Sequence, residues 1–235
     1  MLPTANISEL YLDMYADGEQ RAWRDAGALS KVDNVVRAYR AAALPLSPRV
    51  VELGCGEGAL AAELVRRSFP RSYLGLDISP SGIEEARMRA VPGAEFRLTV
   101  GGPVPLDDGY ADLAILCHVV EHLEHPRVLL YEAKRIARYV LIEVPLELNG
   151  RTPLDYNLDT LGHINKYTAR SIRHLVQSCG FDVLAQFTTN PPHAHFGDAS
   201  AARRLTWNVK NVALGVAPRL ARSCFTFHET LLLRS

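Results

Sequence analysis

Apolar residues recur along the chain at two different spacings. Spacings of three and four residues indicate helices, and short apolar runs bounded by turn residues indicate strands. By these patterns the predicted helices cover 6–17, 19–44, 58–68, 80–90, 118–136 with a restart at Pro126, and 169–179. The predicted strands cover 49–53, 72–77, 95–100, 111–117, 139–144, 181–189 and 223–233. From residue 49 onward strand and helix alternate with short connections, which indicates a mostly parallel sheet with helices on both faces.

Two prolines separate parts of the chain that have different patterns. Pro45 and Pro48 end the N-terminal helical pattern, and the alternation of strand and helix begins directly after them. We therefore predict a helical cap over 1–47 and an α/β domain over 48–235, with a helical insertion at 190–222 before the last strand. Hydrophobic residues make up 48% of the 235 residues, enough to fill one sizeable core.

A glycine-spaced turn follows the first predicted strand. Its candidate ligand-binding residues are Glu52, Gly54, Cys55, Gly56 and Gly58. Glycine lets the backbone bend tightly and approach a ligand because it has no Cβ, and the helix that follows offers free N–H groups at its N-terminus. Asp77 closes the next strand, where a carboxylate can accept both hydroxyls of a ribose. The two features predict a nucleoside site at the carboxyl ends of parallel strands.

The glycine spacing indicates which kind of nucleoside-containing cofactor the site would bind. A dinucleotide site has the pattern G-x-G-x-x-G, with the pyrophosphate at the helix N-terminus. Here the pattern is G-x-G-x-G, and Glu52 stands two residues before the first glycine, where its charge would repel a pyrophosphate and suit an ammonium or a sulfonium group. The run E-L-G-C-G-E-G resembles motif I of the class I S-adenosylmethionine-dependent methyltransferases, and G-L-D at 75–77 resembles their ribose-binding acidic loop.

This resemblance implies a fold, a cofactor and a set of contacts. The fold is an α/β, Rossmann-like, doubly wound sheet of seven strands, whose last strand is antiparallel and lies between strands five and six. N-terminal helices and a helical insertion before the last strand complete it. The cofactor is S-adenosylmethionine. The implied cofactor contacts are Glu52, Gly54, Cys55, Gly56, Gly58, Asp77, Ile78, Thr99, Cys117 and His118.

One stretch departs from the family's pattern. The family usually has an acidic residue before the loop that precedes strand four, where it binds the adenine amino group. The run from Thr99 to Pro105 contains no acid. The adenine must therefore be held by backbone groups or by another side chain, for which Thr99 is the candidate.

Histidines follow the fourth predicted strand. The segment from His118 through Glu121 and His122 to Pro126 resembles the E-H-L-x-x-P segment of many small-molecule methyltransferases. The same letters spell H-x-x-E-H, an inverted zinc-protease motif. A protease does not fit a motif that comes directly after a buried strand of a nucleoside-binding sheet. A divalent ion held by His118 and His122 stays an alternative, and from the sequence we assign no metal ligand.

A second histidine lies in the loop after the fifth strand. The run from Gly162 to Thr168 resembles a segment that recurs before the fifth helix in this type of methyltransferase. His163 in this run would stand above the carboxyl edge of the sheet, and the ordinary pKa of histidine suits a proton acceptor at neutral pH. We take His163 as the first candidate for the catalytic base and His122 as the second.

The resemblance implies methyl transfer from S-adenosylmethionine to a small-molecule acceptor, at a hydroxyl of a natural product, a sugar or a quinone-like molecule. Three alternatives stay open. They are an N-methyltransferase for a small molecule, a nicotinamide-dependent oxidoreductase and a cofactor-binding subunit without catalysis. The glycine spacing and Glu52 count against the second, and the histidine-rich rim counts against the third.

Composition narrows the choice of partner and compartment. The formal net charge is zero, so no basic footprint for nucleic acid is present. Four scattered cysteines without a C-x-x-C pair indicate free thiols and a cytoplasmic protein. No signal pattern and no apolar run of membrane-spanning length occurs, so we expect no integral membrane segment. The basic, amphipathic insertion could cover the acceptor, form a homodimer contact or lie on a membrane surface.

Overall fold

The computed structural model describes Tyr15 and residues 21–152, 162–191 and 201–235. Apart from Tyr15, the predicted helix at 6–17 lies outside these residues. The helices are α1 (Arg21–Ala41), α2 (Ala59–Arg66), α3 (Pro80–Met88), α4 (Pro126–Ile136), α5 (Ala169–Ser178), α6 (Ala201–Val216) and α7 (Pro218–Cys224). The strands are β1 (Arg49–Leu53), β2 (Ser72–Asp77), β3 (Ala94–Leu98), β4 (Ala111–Cys117), β5 (Ala137–Pro145), β6 (Asp182–Thr189) and β7 (His228–Arg234).

The seven strands form one sheet in the order β3-β2-β1-β4-β5-β7-β6. Strand β7 runs antiparallel to both of its neighbours, whereas the other paired strands run parallel. The predicted Rossmann-like, doubly wound α/β fold with an antiparallel last strand is therefore confirmed. The strand order reverses between β1 and β4, and open α/β sheets bind their ligands beyond the carboxyl ends of the strands at such a point.

Two apolar layers cover the sheet, one on each face. On one face, Val51 and Leu53 belong to a buried cluster that includes residues of α4 and α5. On the other, Val50 belongs to a cluster that includes residues of α1, α2 and α3. Strands buried on both faces contain nearly continuous apolar runs, so the short apolar segments of this sequence form parallel strands.

Helix α1 crosses the second of these faces and contacts α2, β6 and β7. Its buried residues include Val32, Val35 and Ala38, which follow one another at a spacing of three residues and therefore share one side of the helix. The polar Asn34 is buried with them. Helix α1 thus brings a polar side chain over strands that follow it by more than a hundred residues.

Two helices begin at residues of the type that caps a helix N-terminus. Ser79 caps α3, because its Oγ accepts a hydrogen bond from the N–H of Gly82 at 3.1 Å, and Pro80 occupies the first helical position. Thr168 caps α5 and forms a reciprocal capping box with Ser171. Because a cap acts within one turn, these helix starts could be predicted from the sequence.

The predicted helix at 118–136 is wrong in its first part. His118 has a left-handed backbone with φ of 58°, only Val120–His122 forms a short 3₁₀ turn, and the α-helix begins at Pro126. Proline has no N–H to donate to a preceding turn, so it starts a helix instead of continuing one. The residues Val120–His122 therefore lie outside the α-helix and form a tight turn after the end of β4.

The predicted last strand at 223–233 begins too early. Residues Pro218–Cys224 form a helix, and the strand runs over His228–Arg234. Proline at the first helical position favours the helix, and short apolar runs alone do not separate helix from strand. Within the described part of the insertion, Ala201–Val216 is helical as predicted. None of the described helices is both long and apolar enough to cross a membrane.

Candidate functional site

The glycine loop after β1 bends in a way that other residues rarely adopt. The backbone φ angles of Gly54, Gly56 and Gly58 are 83°, 51° and 75°, all in the left-handed region. The N–H of Gly54 donates to the carbonyl of Leu76 at 2.7 Å, which ties the loop to β2. A Cβ on Gly54 would overlap the side chain of Val119. Glycine is required here for its backbone conformation and for the lack of space.

Asp77 lies at the base of this loop. Its Oδ2 accepts the N–H of Gly56 at 2.6 Å, and its Oδ1 accepts the N–H of Ser79 at 2.8 Å. Burial raises the pKa of the carboxyl, and these backbone hydrogen bonds oppose that shift. Each carboxylate oxygen has a further lone pair, so the group can still accept a ribose hydroxyl while it holds the loop.

Glu52 is buried beside the loop, on the face of the sheet that α1 covers. Its carboxyl accepts a hydrogen bond from the hydroxyl of Tyr73. Burial raises the pKa of Glu52 to about 8, although Tyr73 and the charge of Lys31 oppose the shift. The carboxyl is therefore largely protonated at neutral pH until a cation lies beside it, because a neighbouring positive charge lowers the pKa of an acid.

The ring of Tyr15 occupies the space above the loop. A Cβ on Gly56 would overlap its hydroxyl end, and a Cβ on Gly82 would lie 3.0 Å from the ring. The guanidinium of Arg24 lies 4.8 Å from the ring centroid. Burial, with a further contribution from Asp77, raises the pKa of Tyr15. An aromatic ring from the N-terminal region thus covers the surface that the glycines leave open.

The other predicted cofactor contacts lie around this loop. Ile78 is 40% exposed at the rim, and the N–H of Thr99 donates to the carbonyl of Asp77 at 2.8 Å. Cys55 and Cys117 are buried thiols, and burial raises the pKa of both. They are therefore unreactive at neutral pH and serve as small apolar groups under the site.

An open cavity of about 570 Å³ lies along α3 rather than over the loop. Its lining residues are Pro80, Ile83, Glu84, Arg87, Met88 and Leu98. It contains none of the candidate catalytic histidines. We therefore place the candidate site by its chemistry and not by the size of this cavity.

The structure brings His122 and His163 together. Their ring centroids are 4.7 Å apart, with an angle of 62° between the ring planes. The His163 Nδ1 lies 2.8 Å from a carboxylate oxygen of Glu147, and the His122 Nδ1 lies 3.2 Å from the carbonyl of Gly162. Burial lowers the pKa of His122, partly offset by the charge of Glu121. Both histidines predicted as bases thus stand side by side, each oriented by an acceptor.

Glu121 lies beneath this pair and is fully buried. Its backbone carbonyl accepts the N–H groups of Ile164 and Asn165 at 3.0 and 2.9 Å, which fixes the loop that carries His163. Burial would raise the pKa of its carboxyl, but His118 and His122 outweigh that effect and lower the pKa overall. Glu121 is therefore ionised, and it lies between His122 on one side and His118 on the other.

A second cluster joins His118 to two residues that the sequence did not single out. The Glu143 Oε1 lies 3.5 Å from the His118 Nε2 and 3.4 Å from the His228 Nδ1. The rings of His118 and His228 lie with their centroids 4.6 Å apart. Glu143 lies two residues before the end of β5 and His228 is the first residue of β7, so the three side chains come from different parts of the chain and converge beyond β4.

The other oxygen of Glu143 is held from two sides. Its Oε2 accepts the Nδ2 of Asn34 at 2.8 Å and the hydroxyl of Thr230 at 2.9 Å. Burial would raise the pKa of Glu143, but His118 and His228 hold it well below its ordinary value. The carboxylate is therefore ionised. The sequence contains one sign of this buried carboxylate, because Glu143 interrupts the apolar run of β5. No such sign marks His228.

Helix α6 carries part of the predicted insertion. The indole N–H of Trp207 donates to the carbonyl of Pro191 at 2.6 Å, and the ammonium of Lys210 lies 4.9 Å from the ring centroid of Phe227. Leu205 and Val212 are 65% exposed. The helix is thus anchored on one side, and its other side presents apolar residues outward.

Comparison with known proteins adds a family and several relatives. A family model described as a methyltransferase domain matches residues 22–186. The chain is 34% identical over 91 residues to the phthiotriol/phenolphthiotriol dimycocerosates methyltransferase of Mycobacterium leprae (strain TN), covering 38% of this chain and 34% of that protein. It is 33% identical over 111 residues to the biotin biosynthesis bifunctional protein BioCD of Bordetella avium (strain 197N), covering 46% of this chain and 23% of that protein. The matches span about a quarter to a third of these relatives' own lengths.

A solved structure of coclaurine N-methyltransferase, bound to N-methylheliamine and S-adenosylhomocysteine, has the same fold. Its TM-score is 0.59 at 14% sequence identity, and the alignment covers 88% of this chain and 70% of that one. At this identity the likeness concerns the fold alone.

Proposed function

Since the methyltransferase-domain model matches residues 22–186, the chain belongs to the S-adenosylmethionine-dependent methyltransferases, and we propose that it methylates a hydroxyl group of a small-molecule acceptor. S-adenosylmethionine is the cofactor of this family. The acceptor class that we propose is a natural product, a sugar or a quinone-like molecule. The observation that carries the proposal is the pairing of His163 with Glu147 above the strand edge that adjoins the glycine loop.

We assign the cofactor to the β1–β2 side of the carboxyl edge. Asp77 would accept the ribose hydroxyls, and Glu52 would lie near the ammonium or the sulfonium of the methionine part. A buried carboxyl with a pKa of about 8 gives up its proton readily once a cation approaches. The remaining proposed contacts are Gly54, Cys55, Gly56, Gly58, Ile78, Thr99, Cys117 and His118.

We assign the proton transfer to His163. The acceptor hydroxyl gives its proton to the imidazole, its oxygen forms the new bond to the methyl carbon, and the electrons of the broken carbon–sulfur bond return to sulfur. The products are the methyl ether and S-adenosylhomocysteine. Glu147 would orient the ring through Nδ1 and stabilise the imidazolium that forms. His122, the second candidate, would be a neutral acceptor because burial lowers its pKa.

Two effects would supply the rate. Alignment of the acceptor oxygen with the methyl carbon can contribute about 7–11 kcal/mol, and a positioned base typically adds about 10²–10⁴-fold. The positive charge of the sulfonium is neutralised as the methyl group leaves. No developing oxyanion therefore needs a separate set of donors.

The experiment is a screen of hydroxylated metabolites, with S-adenosylhomocysteine formation as the readout. With the acceptor found, His163→Ala should lower turnover by about 10²–10⁴-fold and leave cofactor affinity nearly unchanged. His174→Ala is the matched control, because His174 is exposed on α5 away from the site. A loss with His122→Ala and none with His163→Ala would exchange the two roles.

Other outcomes of the screen decide between reaction classes. Turnover of amines alone would replace the hydroxyl by a nitrogen acceptor. Binding of a nicotinamide dinucleotide would count against the cofactor assignment, and cofactor binding with no turnover of any acceptor would leave a binding subunit. Mass spectrometry of small molecules that copurify with the protein would distinguish a methyltransferase from a nicotinamide-dependent oxidoreductase.

We also propose that the protein works in the cytoplasm and can form a homodimer. All four cysteines are free thiols, which suits a reducing compartment. The exposed apolar residues of α6, among them Leu205 and Val212, are the surface that we propose for a contact between two copies. Light scattering of the purified protein tests the second proposal.

A further inference from the structure

We propose that His118, Glu143 and His228 form a binding site for one divalent transition-metal ion of the zinc class. The ligand atoms of these three side chains all lie within 4.8 Å of one another. The two distances from the Glu143 Oε1, 3.5 Å and 3.4 Å, are longer than normal hydrogen bonds to ring nitrogens. Zinc bonds of about 2.0–2.1 Å in tetrahedral geometry place neighbouring ligand atoms about 3.3–3.4 Å apart, so the spacing fits atoms that share an ion.

Two of these atoms have no hydrogen-bond partner in the part of the chain that the structure describes, although they face each other at 3.5 Å. The His118 Nε2 and the Glu143 Oε1 are buried, and neither makes a hydrogen bond. Buried polar atoms are nearly always satisfied, so an orphaned nitrogen and an orphaned carboxylate oxygen that face each other need an explanation. An ion between them would satisfy both at once.

The surroundings hold the ligand atoms in place. The Oε2 of Glu143 accepts from Asn34 and Thr230, which leaves Oε1 directed at the histidines. The Nδ1 of His118 lies 3.2 Å from a carboxylate oxygen of Glu121, and a carboxylate behind a ligating histidine is the usual arrangement at metal sites. The left-handed backbone of His118, with φ of 58°, further restricts where its ring can lie.

The chemistry of the donor set selects the class of ion. Two imidazoles and one carboxylate suit zinc, iron and cobalt, whereas magnesium and calcium prefer oxygen ligands alone. Burial and the ammonium of Lys31 act against a positive charge here, but Glu121 and Glu143 outweigh them and raise the pKa of His118 overall. The ionised carboxylates of Glu143 and Glu121 act in favour of a bound cation.

A role for the ion rests on the proposed methylation of a hydroxyl. Three protein ligands leave a coordination position of a zinc-class ion open, and an acceptor oxygen can fill it. Bound to the ion, the hydroxyl would lose its proton at a lower pH. The ion would thus select acceptors that carry a hydroxyl group. Ion binding itself is independent of that role and is tested separately.

The test is a titration of the metal-free protein with Co²⁺, monitored by visible absorption and by equilibrium dialysis. We expect one ion per chain. Glu143→Gln and His228→Gln, which keep the size of the side chains, should each weaken binding by more than about tenfold. His174→Gln, an exposed histidine on α5, is the control and should bind as the unchanged protein does. No binding by the unchanged protein would overturn the proposal.

A neighbouring cluster of side chains is the alternative location for the ion. Glu121, His122 and His163 also place ligand atoms within 4.8 Å of one another. If His163→Gln removes the cobalt absorption and His228→Gln leaves it, the ion belongs to that cluster and the proposal is wrong. Circular dichroism and S-adenosylhomocysteine affinity establish that each variant is folded, and Thr230→Val is a milder variant that should also weaken binding. Cobalt binding without turnover of any hydroxyl acceptor would count against the proposed function alone.

Discussion

The two halves of the sheet's carboxyl edge hold their buried carboxylates in different ways. On the β1–β2 side, Asp77 is held by backbone N–H groups of Gly56 and Ser79. On the β4–β5–β7 side, Glu143 is surrounded by side chains, including Asn34 and His118. Backbone donors are present whatever residues the loop contains, provided that it can bend. A cluster of side chains depends on the identity of every member.

Because of this difference, the two halves of the edge suit different functions. A loop that holds its carboxylate through the backbone suits a cofactor that is the same in every reaction. A cluster of histidines and carboxylates can change with the acceptor, and its protons or an ion can take part in the chemistry. Substitutions in the first half should therefore alter stability and cofactor affinity, and substitutions in the second should alter turnover.

The largest expected effect is on the glycine loop. Gly54→Ala adds a Cβ that overlaps Val119 at a residue whose φ is 83°. Backbone strain and overpacking together should lower the free energy of unfolding by about 2–5 kcal/mol, as measured by urea denaturation. Gly93→Ala is the control, because its φ is 71° and its Cβ would meet nothing within 4 Å. Equal losses in both variants would show that the contact with Val119 does not matter.

The second effect concerns pH. Glu52 has a folded-state pKa of about 8, above the ordinary value of a carboxyl. Between these two values the folded state retains a proton that the unfolded state has lost, so stability falls as pH rises. Relative to Glu52→Gln, the unchanged protein should lose up to about 1.4 kcal/mol of unfolding free energy per pH unit from roughly pH 5 to 8. Parallel stability curves for the two proteins would contradict this.

The third effect is on cofactor affinity. Asp77→Asn keeps the shape of the side chain but removes the charge that accepts two backbone N–H groups and, in our proposal, the ribose hydroxyls. S-adenosylhomocysteine affinity measured by calorimetry should fall by about 1.5–3 kcal/mol, while turnover at saturating cofactor stays close to normal. Asp107→Asn, at an exposed aspartate, should have no effect. Undiminished affinity of the Asp77 variant would refute the ribose assignment.

The smallest expected effect on the cofactor comes from the insertion. Replacing Ala201–Val216 with a short glycine–serine link should change S-adenosylhomocysteine affinity by less than about tenfold, or 1.4 kcal/mol. Turnover of the true acceptor should fall much further, because an open pocket loses alignment. The alternative is that this helix forms a dimer contact and does not cover the acceptor. Light scattering tests it, because a shortened protein that becomes monomeric yet keeps full turnover would show a dimer contact.

Much of the fold was determined by short stretches of sequence. The alternation of strands and helices, the caps at Ser79 and Thr168 and the turn at Gly54 each depend on neighbours within a few residues. Such patterns are readable because backbone conformation, capping and the burial of both faces of a strand are local consequences of residue type. The same holds for the first half of the candidate site, where the glycine loop and Asp77 belong to consecutive strands.

Only the tertiary structure decided the second half. The tight turn at His118 replaced the first part of a predicted helix and placed the His118 ring 3.5 Å from Glu143 of β5. The antiparallel register of β5 and β7 sets Glu143 opposite Thr230 and Pro145 opposite His228, and α1 adds Asn34 from more than a hundred residues away. Sheet register and helix packing are properties of the whole chain, so a buried acid in β5 was visible in the sequence and its partners were not.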